Sequence, residues 1–413
     1  MIRVRQLAIF GCLIILLFNV SCTSASKAFH PAPHTLAIPE KYYIQLLDLF
    51  PLNTQGYGPD SYDPTLRDFS ATYALVLSSE ARRWVARKDP ESALRIRNAW
   101  QWLMDHSDLD DDGKPGWGLP FACPSLTPGI INPMDLPYTV TTAEVLEAMF
   151  DALELGDTLF DHSERVRTEV LIMDTWRRWS EELWRRHEED GWFSYSPSSA
   201  DDYFVLNVNG LMLSVAARAL QYSWIGSNKI FNQKVLNKVS ILTKTIFKTM
   251  HLREKRPYWQ YISVPNRMNH DEPNDAVHHV FILWGLERIR DLKISEWIFP
   301  YTRKQAINSL QSFFVNNIAY DYPQDFVYTK LHYTRPMGLW GLGGCLAFLG
   351  EFRSMDDSLA LDLWLRLKEA YGPWPKIRVF PISYSTNDNF YPRQAAFVLW
   401  GIACINYPRI NSS

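Results

Sequence analysis

The densest gathering of side chains able to move protons is Asn269-His270-Asp271-Glu272-Pro273-Asn274-Asp275-Ala276-Val277-His278-His279. Its three acids and three histidines combine carboxylates with rings that titrate near neutral pH. Pro273 suits the first turn of a helix, and Asp271 or Glu272 suits its cap. On such a helix Asp275 and His279 stand four apart on one face, with Asn274 and His278 on the neighbouring face. A carboxylate beside an imidazole orients the ring and raises its basicity, as a general base requires. The plainer alternative is a capped helix with one buried, hydrogen-bonded histidine.

Two further segments carry Tyr followed two residues later by Arg: His332-Tyr333-Thr334-Arg335-Pro336, and Asn387-Asp388-Asn389-Phe390-Tyr391-Pro392-Arg393-Gln394. Removing a proton α to a carboxylate needs a clamp for the developing enolate and an acid and a base about the ring carbon. Arg335 or Arg393, with Asn387 or Asn389, would supply the clamp. His279 or His278 beside Asp275, with Tyr333 or Tyr391, would supply the base and acid. Hydrolysis of a glycosidic bond instead needs two carboxylates about 5 to 10 Å apart, for which Glu144, Asp202, Asp275 and Asp388 are available. None of these chemistries requires a cofactor. Asp108-Leu109-Asp110-Asp111-Asp112-Gly113 has the alternating spacing with which Asp108, Asp110 and Asp112 could hold a structural Ca²⁺ and anchor the loop at Trp117. Leu119 stands at the twelfth position, where such loops carry an acid, and Asp-rich turns ending in Gly also terminate helices.

These segments occupy equivalent places in a repeat. Six stretches begin with turn or polar residues and run into apolar, small-residue-rich helices, from Asp63, Leu136, Tyr203, Glu272, His332 and Asn387. Charged amphipathic helices lie between and before them, at 39–50, 91–106, 163–186, 231–251, 302–318 and 358–370. A helix apolar all round is buried, and one with a single apolar stripe lies at a surface. The alternation predicts an all-α fold, an (α/α)6 toroid of six inner helices within six outer ones. Each outer-to-inner loop carries aromatics: Trp117; Trp192 with Tyr195; Tyr258, Trp259 and Tyr261; Tyr320 and Tyr322; Trp374. These loops gather at one mouth, with the positive ends of the inner-helix dipoles. A ligand-binding cleft is expected there, contacted by Trp117, Tyr138, Trp192, Asp202, Asn207, Trp259, His270, Asn274, Asn387 and Asn389. The alternative is that the rings plug the barrel end. Trp284, Trp340 and Trp400 read as core.

A chain of 413 residues with 47% hydrophobic and 21% charged residues has ample material for a core. Aromatics at 14% exceed what packing alone needs. Lys and Arg total 42 against 45 acids, a net charge of -3, so no basic field exists to attract nucleic acid. Arg3 and Arg5 precede an apolar run from Leu7 to Phe18, of signal-peptide length. Asn19-Val20-Ser21-Cys22 resembles a bacterial lipobox, although Asn replaces the usual Leu. Residues 1–21 are therefore expected to be a signal peptide, 22–30 a tether and 31–410 one toroid domain. Cleavage removes two Arg and no acid, changing 42 against 45 into 40 against 45, or -5. The product would be exported, periplasmic or held at the outer membrane, touching the membrane only through a lipid on Cys22. Cys123, Cys345 and Cys404 remain in the domain, without metal-like spacing, and read as free thiols.

The repeat resembles the six-hairpin toroid enzymes of polysaccharide metabolism: glycoside hydrolases, uronate lyases and the helical part of glucuronyl C5-epimerases. It covers nearly the whole mature chain, and no single family signature runs end to end. Tyr391-Pro392-Arg393-Gln394 is similar to a Tyr-Pro-x-Gln stretch of glucuronyl C5-epimerases. An acid followed by His at the fourth inner helix resembles a motif of uronate-processing toroids. The resemblance implies a lyase or C5-epimerase acting on a uronate-containing polysaccharide or oligosaccharide, with a glycoside hydrolase as the alternative. A noncatalytic glycan-binding or secretion-accessory lipoprotein is the rival of another class. Terpene cyclases and peptide-modifying toroids fit less well, because there is no Asp-rich cation motif on a helix and no Cys/His zinc set.

Overall fold

Two kinds of helix alternate along the chain, and their burial follows their composition. A computed structural model describes residues 37–52, 57, 68–222, 229–263, 273–294, 297–316, 318–326, 334–352, 358–371 and 391–409. The outer helices are α1 (Glu40–Leu47), α3 (Pro90–Asp105), α5 (His162–Arg178), α7 (Lys229–Lys248), α9 (Arg303–Ser309) and α11 (Ser358–Tyr371). The inner ones are α2 (Ser70–Arg87), α4 (Thr139–Leu155), α6 (Leu206–Gln221), α8 (Ala276–Asp291), α10 (Leu339–Glu351) and α12 (Pro392–Asn406). In α3 burial is confined to Ser92, Ile96, Ala99, Trp100 and Leu103, a single stripe. In α10 every residue from Gly341 to Gly350 is buried, as expected of a helix enclosed on all sides.

Each inner helix packs on the next, and α12 returns to α2, which closes the ring. Two of the contacts are backbone against backbone. A Cβ on Gly285 of α8 would fall 1.8 Å from the Gly210 carbonyl oxygen of α6, and one on Gly343 of α10 would fall 2.4 Å from the Phe397 carbonyl carbon of α12. Any larger residue at these positions would push the helices apart. Among the described residues no helix is long and apolar enough to cross a membrane.

The inner helices start several residues later than their sequence pattern suggests, because short strand-like pairings come first. The pairing recurs: Gly118 bridges Pro137, Gln260 bridges Pro273, and Tyr320 bridges Pro336. In each case the residue after the proline donates its N–H to the residue before the bridge partner: Tyr138 to Trp117 at 3.0 Å, Asn274 to Trp259 at 2.9 Å, Met337 to Ala319 at 2.8 Å. Pro has no N–H, so the ladder begins one residue on. Two outer helices are also shorter than expected. After Arg178 the chain makes a π turn over Trp179–Leu183 and then an antiparallel pair, Trp184–His187 with Asp190–Phe193. After Ser309 it makes a 3-10 turn, Leu310–Phe313, and the pair Phe314–Val315 with Ile318–Ala319.

The end away from these loops is closed by charge. Arg82, Arg288 and Arg409 converge on Glu351, with Arg82 at 2.5 Å and Arg409 at 3.5 Å. Arg218 holds Glu147 at 3.0 Å, Asp151 at 2.9 Å and Glu154 at 2.5 Å, and Arg409 also pairs with Asp151. Four guanidiniums thus meet four carboxylates at the C-terminal ends of the inner helices.

Candidate active site

The start of α8 is capped by Asp275. Its carboxylate accepts the His278 backbone N–H at 3.1 Å and, through the other oxygen, bonds His278 Nδ1 at 2.8 Å. The cap therefore lies later than Asp271 or Glu272, and Pro273 belongs to the pairing before the helix. The partner ring is three residues on, not four. An N-cap side chain folds back over the first turn, where the third residue is its nearest neighbour. The His278 side chain is 20% exposed. Its ring meets Tyr261 edge-on at 5.0 Å and Trp340 at 6.0 Å. Trp340, expected in the core, is half-buried at the mouth.

His279 does not reach the mouth. It is 1% exposed, lies among Tyr258, Trp259 and Phe313, and bonds Ser309 of the outer helix α9 at 2.8 Å. Ser309 already donates to the Ala306 carbonyl, so His279 Nε2–H is the donor. Burial drives its pKa down to about 3, against a small opposing pull from Asp275. A ring so far from its ordinary value cannot act as a neutral-pH base from a dry interior, and His278 is the histidine that reaches the mouth. The depressed value makes a prediction. The neutral ring's contribution to folding is complete above about 6.5 and is lost as pH falls towards 3. In His279→Gln, denaturant melts are expected to lose this part of the acid limb. An unchanged limb would count against it.

A second acid supports the dyad from behind. Asp321 accepts the Gly338 N–H at 3.0 Å and pairs with Arg335 at 2.5 Å, while its carbonyl receives the Ala276 N–H at 2.7 Å. It therefore ties the starts of α8 and α10 together. Burial and the charge of Asp275 push Asp321 up to about 6, against the pull of Arg335. Burial would raise Asp275 as well, but His278 and Arg335 outweigh it and hold it below the ordinary carboxylate value. Arg335, expected to clamp substrate, is instead engaged with Asp321 and lies 5.8 Å from the Tyr322 ring.

Arg393, in the first turn of α12, lies 5.9 Å from the Trp340 ring and 5.5 Å from that of Phe69. It acts electrostatically on Glu144 of α4 and on Cys123. Cys123 is a half-buried thiol whose pKa burial raises, next to Tyr138. Tyr138 accepts from Asn132 at 2.9 Å and faces Tyr195 at 5.3 Å. Asp201, fully buried, receives Leu126 N–H, Asn132 Nδ2 and Ser196 Oγ, and so fastens the Cys123–Asn132 hairpin to the mouth. Tyr391 is buried at the N-cap of α12.

Several expected binding groups are structural. Trp117 and Trp259 are 0% and 1% exposed, and their indole N–H groups donate to the Leu103 and Ile246 carbonyls in the last turns of α3 and α7. Each ring hooks a loop to the otherwise unsatisfied end of an outer helix, leaving no face for a sugar. Trp192 is half-buried against Phe204 at 5.9 Å. Asp202 is held by Arg185 at 3.0 Å on the rim. Asn207 and Asn274 are buried, and Asn274 donates to the Gln260 carbonyl. Cys22, His270, Tyr333, Trp374, Asn387, Asp388 and Asn389, with the expected signal peptide and tether, lie outside the described residues. Asp108, Asp110 and Asp112 do come together, with ligand atoms within 4.8 Å of one another. However, the buried Arg178 guanidinium sits on them, 2.6 Å from Asp112 and 3.8 Å from Asp110, and Asp108 spends its oxygens on the Asp112 and Gly113 N–H groups. Cys345 and Cys404 are buried and Cys123 is half-buried, and none of the three forms a disulfide among the described residues.

No protein-family model matches the chain, and no curated protein matches it in sequence. Solved structures do match in fold. A cellobiose 2-epimerase from Bacillus thermoamylovorans aligns at 11% identity over 87% of this chain and 95% of that one, with a TM-score of 0.59. A D-mannose isomerase aligns at 13% identity over 88% and 95%, with a TM-score of 0.57. A GH76 α-mannanase from Bacteroides thetaiotaomicron aligns at 8% identity over 89% and 95%, with a TM-score of 0.56. This chain has the (α/α)6 toroid fold of these proteins.

Proposed function

We propose that this chain is an exported carbohydrate-active enzyme that acts on a uronate-containing glycan by removing the proton next to the sugar carboxylate, as a lyase or C5-epimerase. The observation that carries the reading is the Asp275–His278 pair, 2.8 Å apart and open at the mouth between Tyr261 and Trp340. With Nδ1 protonated towards Asp275, the Nε2 lone pair is the basic position. Arg393, lodged beside Trp340, is the cation placed to receive the sugar carboxylate and the enolate that grows from it. The names of the fold neighbours, sugar epimerases and isomerases and a mannanase, favour a saccharide substrate. The apolar run from Leu7 to Phe18, followed shortly by Cys22, favours export, with a lipid on Cys22 as the membrane attachment.

Incubating the full chain with polyglucuronate or polymannuronate tests this. The expected result is either near-ultraviolet absorbance from a new C4=C5 double bond or exchange of the C5 hydrogen in deuterated water. New reducing ends without either signal would overturn it in favour of hydrolysis. That second reading draws on Asp321, a buried carboxyl pushed up to about 6 beside the ionised Asp275.

The Arg178 guanidinium stands against Asp112 and Asp110 where a cation would sit, so we propose that the turn holds without Ca²⁺. Adding EDTA is expected to leave Tm unchanged, whereas Arg178→Gln is expected to lower it. A fall in Tm on chelation that added Ca²⁺ restores would establish a calcium site instead.

A further inference from the structure

Four carboxylates, Glu144, Glu147, Asp151 and Glu154, share one face of α4 at spacings of three and four residues. Three of them are neutralised by Arg218 or Arg409. Glu144, nearest the mouth, has no hydrogen bond or ion pair among the described residues; its resolved electrostatic partner is Arg393. Helices α4 and α12 are not neighbours in the ring, since α2 lies between them. The field of Arg393 therefore reaches Glu144 across the bore. From Arg393 the contacts run on to Trp340 and then to His278. Lower on the same face of α4, Asp151 pairs with Arg409, which also reaches Glu351 together with Arg288 of α8, so this face looks into the bore and Glu144 stands on it nearer the mouth, where His278 of α8 is also part-exposed.

We infer that Glu144 is a catalytic residue, the proton donor that faces His278 across the bound uronate, and that the reaction is a two-sided C5 epimerisation. The inference rests on the uronate reading above and goes beyond it by choosing epimerase over lyase. His278 Nε2 takes the C5 proton, and the C–H electron pair moves into the enolate held by Arg393. The Glu144 carboxyl O–H then delivers its proton to C5 from the other face, forming the new C–H bond. The enzyme is left with imidazolium and carboxylate, which return to their starting forms by exchange with water. Burial makes Glu144 ready for this role by raising its pKa to about 8, against the pull of Arg393, so it carries its proton at neutral pH. The three acids below it on α4 are already engaged by Arg218 or Arg409.

The test uses the full chain in deuterated water with polyglucuronate, followed by proton NMR. Wild type is expected to form the C5 epimer with deuterium at C5. Glu144→Gln is expected to keep exchanging deuterium into the starting sugar through His278, while epimer formation falls by ~100-fold or more. Epimer at the wild-type rate, or loss of exchange together with epimer, would overturn the assignment. A measurement that needs no substrate separates this inference from the uronate reading. In protein carrying ¹³C at its Glu carboxyls, one resonance should titrate near 8 and be missing from Glu144→Gln. If Glu144 titrates in the ordinary glutamate range, the inference fails whatever the substrate. If wild type exchanges no C5 hydrogen while that resonance titrates near 8, the uronate reading fails, and with it the epimerase role.

Discussion

His278→Gln is expected to lower kcat on the polyuronate by ~10²- to 10⁴-fold, the usual contribution of a positioned base, with little change in Tm. Its neighbour should behave in the opposite way, with His279→Gln leaving kcat nearly intact and lowering stability. The contrast follows from where the rings point. His278 is part-exposed and among the described residues its ring hydrogen-bonds only Asp275, so Gln keeps the helix and removes the basic nitrogen. His279 fills a buried aromatic nest and bonds Ser309 of the outer layer, so Gln there disturbs packing between layers. Steady-state kinetics and thermal melts of the two variants check this. Equal losses of kcat, or a larger loss in His279→Gln, would return the base to His279 and undo the assignment of the site. Asp275→Asn should also reduce kcat, since an amide neither fixes the Nδ1–H tautomer nor supports a developing positive ring. The cap on α8 should survive, because Asn caps a helix start about as well as Asp.

Glu351→Gln is expected to destabilise the fold by ~3 to 5 kcal/mol, measured by urea unfolding, because removing one partner of a buried ion pair leaves charge without compensation. The effect should be large here because Arg82 and Arg288 both pair with that one carboxylate at the end of the barrel, and Arg409 shares itself between it and Asp151. Burial alone would raise Glu351, but the arginines outweigh it and bring it down to about 2. The folded-state value lies below the unfolded one of 4.5, so the stabilisation is complete above 4.5 and is lost as pH falls towards 2. Wild type should therefore lose stability through that window more steeply than Glu351→Gln. Parallel acid limbs would show that the charge cluster does not close the barrel as described.

The alternation of helix types was fully visible in the residues. Charged stripes such as that of α3 and charge-poor stretches such as Leu339–Glu351 differ at a glance, and burial follows composition. The recurrent loop aromatics were visible too, but their meaning was not. Periodicity cannot distinguish a ring that stacks on a ligand from one whose N–H must satisfy a carbonyl at the end of another helix. Trp117 and Trp259 do the second, and the carbonyls they serve lie on α3 and α7. Trp340 packs against the core and shows the converse. Its sequence surroundings are those of core, and only its position at the first turn of α10 brings it out to the mouth. Glu144 stood among several carboxylates of equal standing until the pairing of the other three on its helix face set it apart.

Residue patterns alone carry the class of fold and the pairing of Asp275 with a neighbouring histidine. These depend on local composition and on caps, which act within a turn or two of chain. Tertiary structure alone decided which of two adjacent histidines faces the bore. Successive residues on a helix point about 100° apart, so the choice between them is the rotation of α8 about its own axis. A helix apolar on every side carries no stripe to set that rotation. It is set instead by the Gly210–Gly285 approach to α6 and by Ser309 on the outer layer, both distant in sequence from the histidines they orient.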